Sequence, residues 1–272
     1  MREIGLLAQQ ELREAARSRW LPAFGFGLAF VVWLAASAQA TGPAFGGGFN
    51  RTTAGLLNVV LVVVPAFGMM LGALRWAGER ERGALALVLA QPVGRTELLL
   101  ATVLGCWLGV GLAIAFGLGL GGALLVLFVP LGSVREYVFF LLVAGALAGA
   151  SVSLGVLFGV LGGGRLRAFG IALFAWLLFT VAYDLFFVAL FAAAEPSGRL
   201  FVLAALGNPV EAARVLTVLF VQPDLEVLGP IGAYLRDRLG VGAAAALLSS
   251  ALVLWVVLPL AVASALFRQQ DV

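Results

Sequence analysis

The sequence predicts an all-α polytopic membrane protein with six transmembrane helices, an N-terminal amphipathic interfacial helix and a broken helical outer loop between spans five and six. Three observations carry this reading. Apolar residues make up 62% of the 272, and charged residues only 11%, against about a quarter charged in a soluble domain. Six runs are long enough to cross the hydrocarbon core, which takes about 20 mainly apolar residues per helix. Arginine, finally, is distributed unevenly between the segments that join those runs.

In chain order, residues 1–20 place Ile4, Leu7, Ala8, Leu12, Ala15 and Ala16 on one helical face, with Arg2, Gln9, Arg13 and Arg17 turned away. Such a helix lies in the membrane interface, with Trp20 at the headgroups. The first span is Leu21–Ala40. Its end, Ala38-Gln39-Ala40, also fits a signal-peptide cleavage site, but Glu3, Glu11 and Glu14 are unlike a short basic leader. Spans two to six are Gly55–Leu74, Leu98–Val129, Tyr137–Leu161, Ala168–Ala194 and Val241–Phe267. The third is long enough to tilt and rich in glycine (Gly105, Gly109, Gly111, Gly117, Gly119, Gly121 and Gly122), which favours close helix packing.

Arginine sets the orientation. With the N-terminus inside, the cytoplasmic segments hold Arg2, Arg13, Arg17, Arg19, Arg75, Arg80, Arg82, Arg95, Arg165, Arg167 and Arg268. The outer segments hold Arg51, Arg135, Arg199, Arg214, Arg236 and Arg238, four of them in the long loop 195–240, where the positive-inside rule weakens. Both termini are therefore expected in the cytoplasm. The small net charge of +3 and the absence of a basic stripe exclude a nucleic-acid partner.

Several chemistries are excluded by missing residues. All 17 basic residues are arginine, with no lysine and no histidine. A P-loop requires lysine, and Ser–His, Cys–His and zinc-protease catalysis require imidazole. Cys106 is alone, and methionine occurs only at positions 1, 69 and 70, so neither a disulfide nor a copper relay is expected. The chain is expected to be non-catalytic, with no metal site of its own.

Three segments carry information. Residues 75–97 form a charged helix end (Glu79, Arg80, Glu81, Arg82, Gly83), an apolar stretch (Ala84–Ala90), and a turn at Gln91-Pro92-Val93-Gly94. Arg95-Thr96-Glu97 then open the next helix, with Thr96 as a candidate cap and Glu97 matched to the helix dipole. This is either a docking surface for a cytoplasmic partner or an ordinary loop. In the outer loop 195–240, Leu200–Leu206 and Val210–Val221 are too short to span and flank Asn208-Pro209, where proline ends one helix and asparagine caps the next. Asn208, Pro209, Glu211 and Arg214 are candidates for docking or gating there. Asp184, beside Tyr183, is the one ionisable residue well inside a span. It needs a partner, Arg214 or Arg51, or else a contact with substrate.

The sequence Glu79-Arg80-Glu81-Arg82-Gly83, followed by Gln91-Pro92-Val93-Gly94-Arg95 and a helix opening Thr96-Glu97-Leu98, resembles the coupling-helix region of ABC-2 type ABC transporter permeases. The chain departs from that pattern in two places: Ala84 stands for the usual threonine, and Thr102 stands where lysine is common. The N-terminal stretch Glu11–Trp20 is similar to that family's connecting helix. Asn50–Asn58, Tyr183-Asp184 and Gly207–Arg214 narrow the likeness to permeases serving nitrous-oxide reductase maturation. The resemblance implies one transmembrane domain over 1–272, comprising a connecting helix (1–20), a coupling loop (75–97) and an extracytoplasmic loop (195–240). It implies a second copy of the chain and a separate cytoplasmic ABC ATPase that binds ATP and magnesium, this chain holding no cofactor. It also implies a periplasmic accessory protein, and residence in a bacterial or archaeal cytoplasmic membrane. A lipid, glycan or drug exporter of the same family, and a secondary transporter using Asp184, stand as alternatives.

Overall fold

A computed structural model describes residues 20–38, 51–90, 94–127, 133–193, 198–222, 232, 238 and 240–270. The N-terminal interfacial helix before Trp20, Gln91, Pro92 and most of 223–239 lie outside the described residues. Among the described residues every regular element is helical. In chain order they are α1 (Trp20–Ala38), α2 (Arg51–Glu81), α3 (Ala84–Leu89), α4 (Arg95–Val126), α5 (Val134–Gly162) and α6 (Arg165–Leu177). A π-helical turn (Leu178–Ala182) leads into α7 (Tyr183–Ala193), followed by α8 (Gly198–Gly207), α9 (Pro209–Val221) and α10 (Val241–Arg268).

Five helical stretches, α2, α4, α5, α6–α7 and α10, are long and apolar enough to cross a bilayer. The helix α1 is described over 19 residues. Most helices outrun the apolar runs that predict them, because backbone hydrogen bonding continues through charged residues at the interface. Thus α2 runs on through Arg75, Glu79 and Arg80.

The helix α5 is the central post. Leu147, Ala148, Ala150, Val152, Val156 and Val160 are almost wholly buried, with α2 and α10 against it and α6 and α9 closing the sides. Small residues set the closest approach. A Cβ placed on Gly72 of α2 would fall 2.7 Å from the Val152 carbonyl oxygen, one on Gly159 of α5 would fall 2.9 Å from Trp76 Cβ, and one on Gly155 would collide with the Met69 backbone. Gly68 and Gly72, like Gly155 and Gly159, stand one helical turn apart, the spacing that lets two membrane helices touch along their backbones. The glycines of α4 act more locally: Gly117 and Gly121 admit Leu28 and Val32 of α1, and Gly122 admits the Tyr137 ring, while Gly111 and Gly119 face open space.

Candidate functional site

At one end of the bundle, the segment expected to dock a partner is built from α2, α3 and the start of α4. Gly83 stands between α2 and α3 at φ 70°, a left-handed conformation that suits glycine. The turn it makes separates α3 from α2. Leu85 is fully buried and anchors α3, while Leu87 on the other face is 74% exposed. The short helix therefore presents an apolar knob outward, flanked by exposed Glu81 and Arg82.

The charged residues around α3 do different work from one another. Glu79 is nearly buried and pairs with Arg75 one turn back at 3.0 Å. Arg80 donates to the Gln270 side chain at 2.9 Å, linking α2 to the end of α10. Glu81 accepts the Arg165 backbone N–H at 2.7 Å and lies 3.5 Å from its guanidinium, which ties α2 to the start of α6. Arg82 turns back to the Gly78 carbonyl at 3.1 Å. Arg95 caps the opposite helix: its Nη1 reaches the carbonyls of Phe267, Arg268 and Gln270 at 2.9, 3.3 and 2.6 Å, and the guanidinium lies over the Phe267 ring. Carbonyls at a helix C-terminus have no partner within the helix and favour a cation.

One local expectation is corrected here. Thr96 does not cap α4. Its hydroxyl faces Ser264 at 3.3 Å and accepts from Arg268, while Glu97 reaches back to the Gly94 N–H at 3.1 Å and does the capping. The reason is position: the helix starts at Arg95, so Thr96 lies inside the first turn and Glu97 is within reach of the free N–H before it.

At the opposite end, the outer-loop candidates converge with Asp184. Asn208 is fully buried and uses both ends of its amide. Its Oδ1 accepts the Val210 N–H at 2.8 Å, capping α9, and its Nδ2 donates to the Phe179 carbonyl at 2.7 Å. Phe179 lies in the π-helical turn of the α6–α7 span. A π-turn disturbs the regular carbonyl ladder and commonly marks functional positions. Pro209 occupies the first turn of α9, where its missing N–H costs no helix bond. Tyr183 donates its hydroxyl to the Ala204 carbonyl at 2.6 Å, and Trp255 of α10 donates to the Leu206 carbonyl at 3.0 Å. These bonds fix the free end of α8.

Asp184 is reached by Arg214 from α9 in a two-pronged contact, Nη2 to Oδ2 at 2.9 Å and Nη1 to Oδ1 at 3.3 Å. Glu211, one turn before Arg214, comes within 2.8 Å of Nη1, close enough for an ion pair but without the alignment of a hydrogen bond. One guanidinium thus serves two carboxylates. Burial pushes the Glu211 carboxyl up to about 7; Arg214 pulls it down, and Asp184 adds to the rise. The burial effect prevails because the two acids leave one negative charge in excess in a poorly solvated place. Asp184 lies in the first turn of α7, directly after the π-helical turn.

Sequence reasoning missed the π-turn, the Trp255 tie, and the partners of Glu81 and Arg95. Arginines near helix ends carried a hint of the last two; the π-turn has no evident signal in its residues.

A family model described as "ABC-2 family transporter protein" matches residues 6–272. The chain is 30% identical over 279 residues to the "Probable ABC transporter permease protein NosY" of Pseudomonas aeruginosa, with 98% of each chain covered. It is 29% identical over 283 residues to the protein of the same name from Stutzerimonas stutzeri, with 99% of each covered. The chain, helical with five membrane-length helices among its described residues and matched along its length by ABC transporter permeases, belongs to the ABC-2 transporter family.

Proposed function

We propose that the chain is the permease half of a dimeric ABC transporter whose ATP hydrolysis occurs in a separate cytoplasmic ATPase, which also holds ATP and magnesium. The observation that carries this is α3: an exposed Leu87 on a helix pinned by Leu85, with both flanks tied to other helix ends through Glu81 and Arg95. A push on α3 reaches α2, α4, α6 and α10 together, so the arrangement supports a two-state repacking of the bundle biased by nucleotide. In this reading α1 is the sixth span, residues 1–20 form the interfacial connecting helix, and 1–272 is one transmembrane domain. The α3 end and both termini are cytoplasmic, and the membrane is the bacterial or archaeal cytoplasmic one.

The end-to-end likeness to NosY-named permeases supports a role in copper-site maturation of periplasmic nitrous-oxide reductase, with a sulfur compound as cargo and a periplasmic partner on the outer loop. The engagement of Asp184 by Arg214 weighs against a secondary transporter that would use this carboxylate as its ion site.

Co-expression with the cytoplasmic ATPase encoded nearest to the gene, followed by purification in mild detergent, tests the reading. The wild-type chain is expected to retain the ATPase, and Leu87→Asp to lose most of it while keeping its helical content. Recovery without any ATPase overturns the proposal.

A further inference from the structure

We propose that the groove between α4 and α10 at the α3 end binds one anionic phospholipid, with its phosphate at Arg268 and an acyl chain along the wall. The groove encloses about 370 Å³, room for part of a chain and a headgroup but not for a folded partner. Its two ends differ in chemistry. At the helix ends stand Thr96, Ser264 and Arg268; deeper in the bundle the lining turns aliphatic, with Leu99, Val257 and Leu260. From Arg268 to Val257 is three turns of α10, roughly 16 Å at the helical rise. A polar mouth at the interface and an aliphatic floor inside the hydrocarbon reproduce the gradient of a lipid lying in its own leaflet.

The mouth is positive. Arg268 Nη2 donates to the Thr96 hydroxyl at 3.0 Å, and that hydroxyl stands 3.3 Å from Ser264 Oγ. Among the described residues the Arg268 guanidinium therefore meets a hydroxyl rather than a carboxylate. Among the described residues no acid lines the groove, and nearby Glu97 is folded back on the Gly94 N–H. Arg95 adds a second cation behind the mouth, fixed on the last carbonyls of α10. A phosphate would accept from Arg268 and from whichever of the two hydroxyls does not donate to the other, as basic pockets between membrane helices do for anionic headgroups. A free anion would leave the aliphatic wall uncovered, and a neutral lipid would leave Arg268 without a carboxylate partner among the described residues. An anionic lipid satisfies both ends.

The test compares lipid retained by the full-length chain after extraction from nanodiscs of phosphatidylcholine with and without phosphatidylglycerol, read by native mass spectrometry. Wild type is expected to keep phosphatidylglycerol in preference to phosphatidylcholine. Arg268→Gln should cut that retention about fivefold, the value of one basic residue at an anionic headgroup. Ala261→Phe, which fills the groove and leaves the charge, should cut it as well; Ser264→Leu serves if Ala261→Phe does not fold. Equal retention of the two lipids by wild type, or unchanged retention in the variants, overturns the proposal. So does displacement of the lipid by inorganic phosphate that Ala261→Phe still binds, which would make the mouth a free-anion site. If Ala261→Phe instead splits an oligomer with lipid unchanged, the groove is a contact between copies and the lipid reading falls.

Discussion

Arg214 shows how one residue decides the meaning of another. Taken alone, Asp184 reads as an isolated charge in lipid, a costly placement that invites a functional explanation. With Arg214 gripping it from α9, it becomes the anchor of a clasp that holds the α8–α9 hairpin on the α6–α7 span. Arg214→Gln is expected to lower thermal stability in detergent by about 1–2 kcal/mol, less than a fully buried pair would lose, because the Asp184 side chain keeps 36% of its surface exposed. Asp184→Asn should lower stability in the same direction and leave transport per assembled complex unchanged; a transport loss at unchanged stability would assign Asp184 to the pathway instead. Glu211 makes the clasp sensitive to pH. Its folded pKa is raised from 4.5 to about 7, so the native state binds this proton more tightly than the unfolded chain does. Its contribution to stability is then complete below pH 4.5 and lost as pH rises through about 7. Melting temperature should fall between those limits, and Glu211→Gln should flatten the fall; a steeper or unchanged slope in that variant would refute the assignment.

At the scale of elements, the crossing of α2 and α5 rests on absent side chains. Gly155 lies against the Met69 backbone, which cannot swing away as a side-chain tip can. Gly155→Leu is expected to cost on the order of 2 kcal/mol or to prevent assembly. Gly27→Ala, at a helix position with open space around it, should be neutral or slightly stabilising. Thermal unfolding of the two variants in the same detergent checks the contrast. The short helix α3 follows another logic. Six residues are too few to hold a helix by themselves, so α3 exists because Leu85 is buried beneath it and Gly83 turns the chain into it. The α8–α9 hairpin is likewise held by long-range contacts, Asn208 donating to the π-turn and Trp255 of α10 donating to Leu206.

At the scale of the whole molecule, α6–α7 and α10 turn large apolar side chains outward, among them Phe174, Leu185, Phe186, Val253 and Leu254. These surfaces require lipid or a second copy. The complex with its ATPase is expected to weigh in as two permeases and two ATPases; a stable assembly with one permease would rule out the dimer. Much of this was legible in the sequence. Hydropathy located the five membrane-length helices among the described residues because a bilayer forces every backbone polar group into a local helical bond, so length and apolarity suffice to find a span. Asn208-Pro209 marked the break between α8 and α9 because capping and proline chemistry are local. The residue pattern around Glu79–Glu97 pointed to the family for the same reason, being contiguous in the chain. What only the tertiary structure decided is which charges are spoken for. Arg95 lies 172 residues from the Phe267 carbonyl it caps and Glu81 lies 84 from Arg165, pairings set by helix packing that no local pattern encodes. The chain alone determined that it lives in a membrane, through its runs of apolar residues; the packed bundle determined that Asp184 is clasped, that Thr96 faces α10, and that Leu87 stays exposed, because those depend on which helix faces meet.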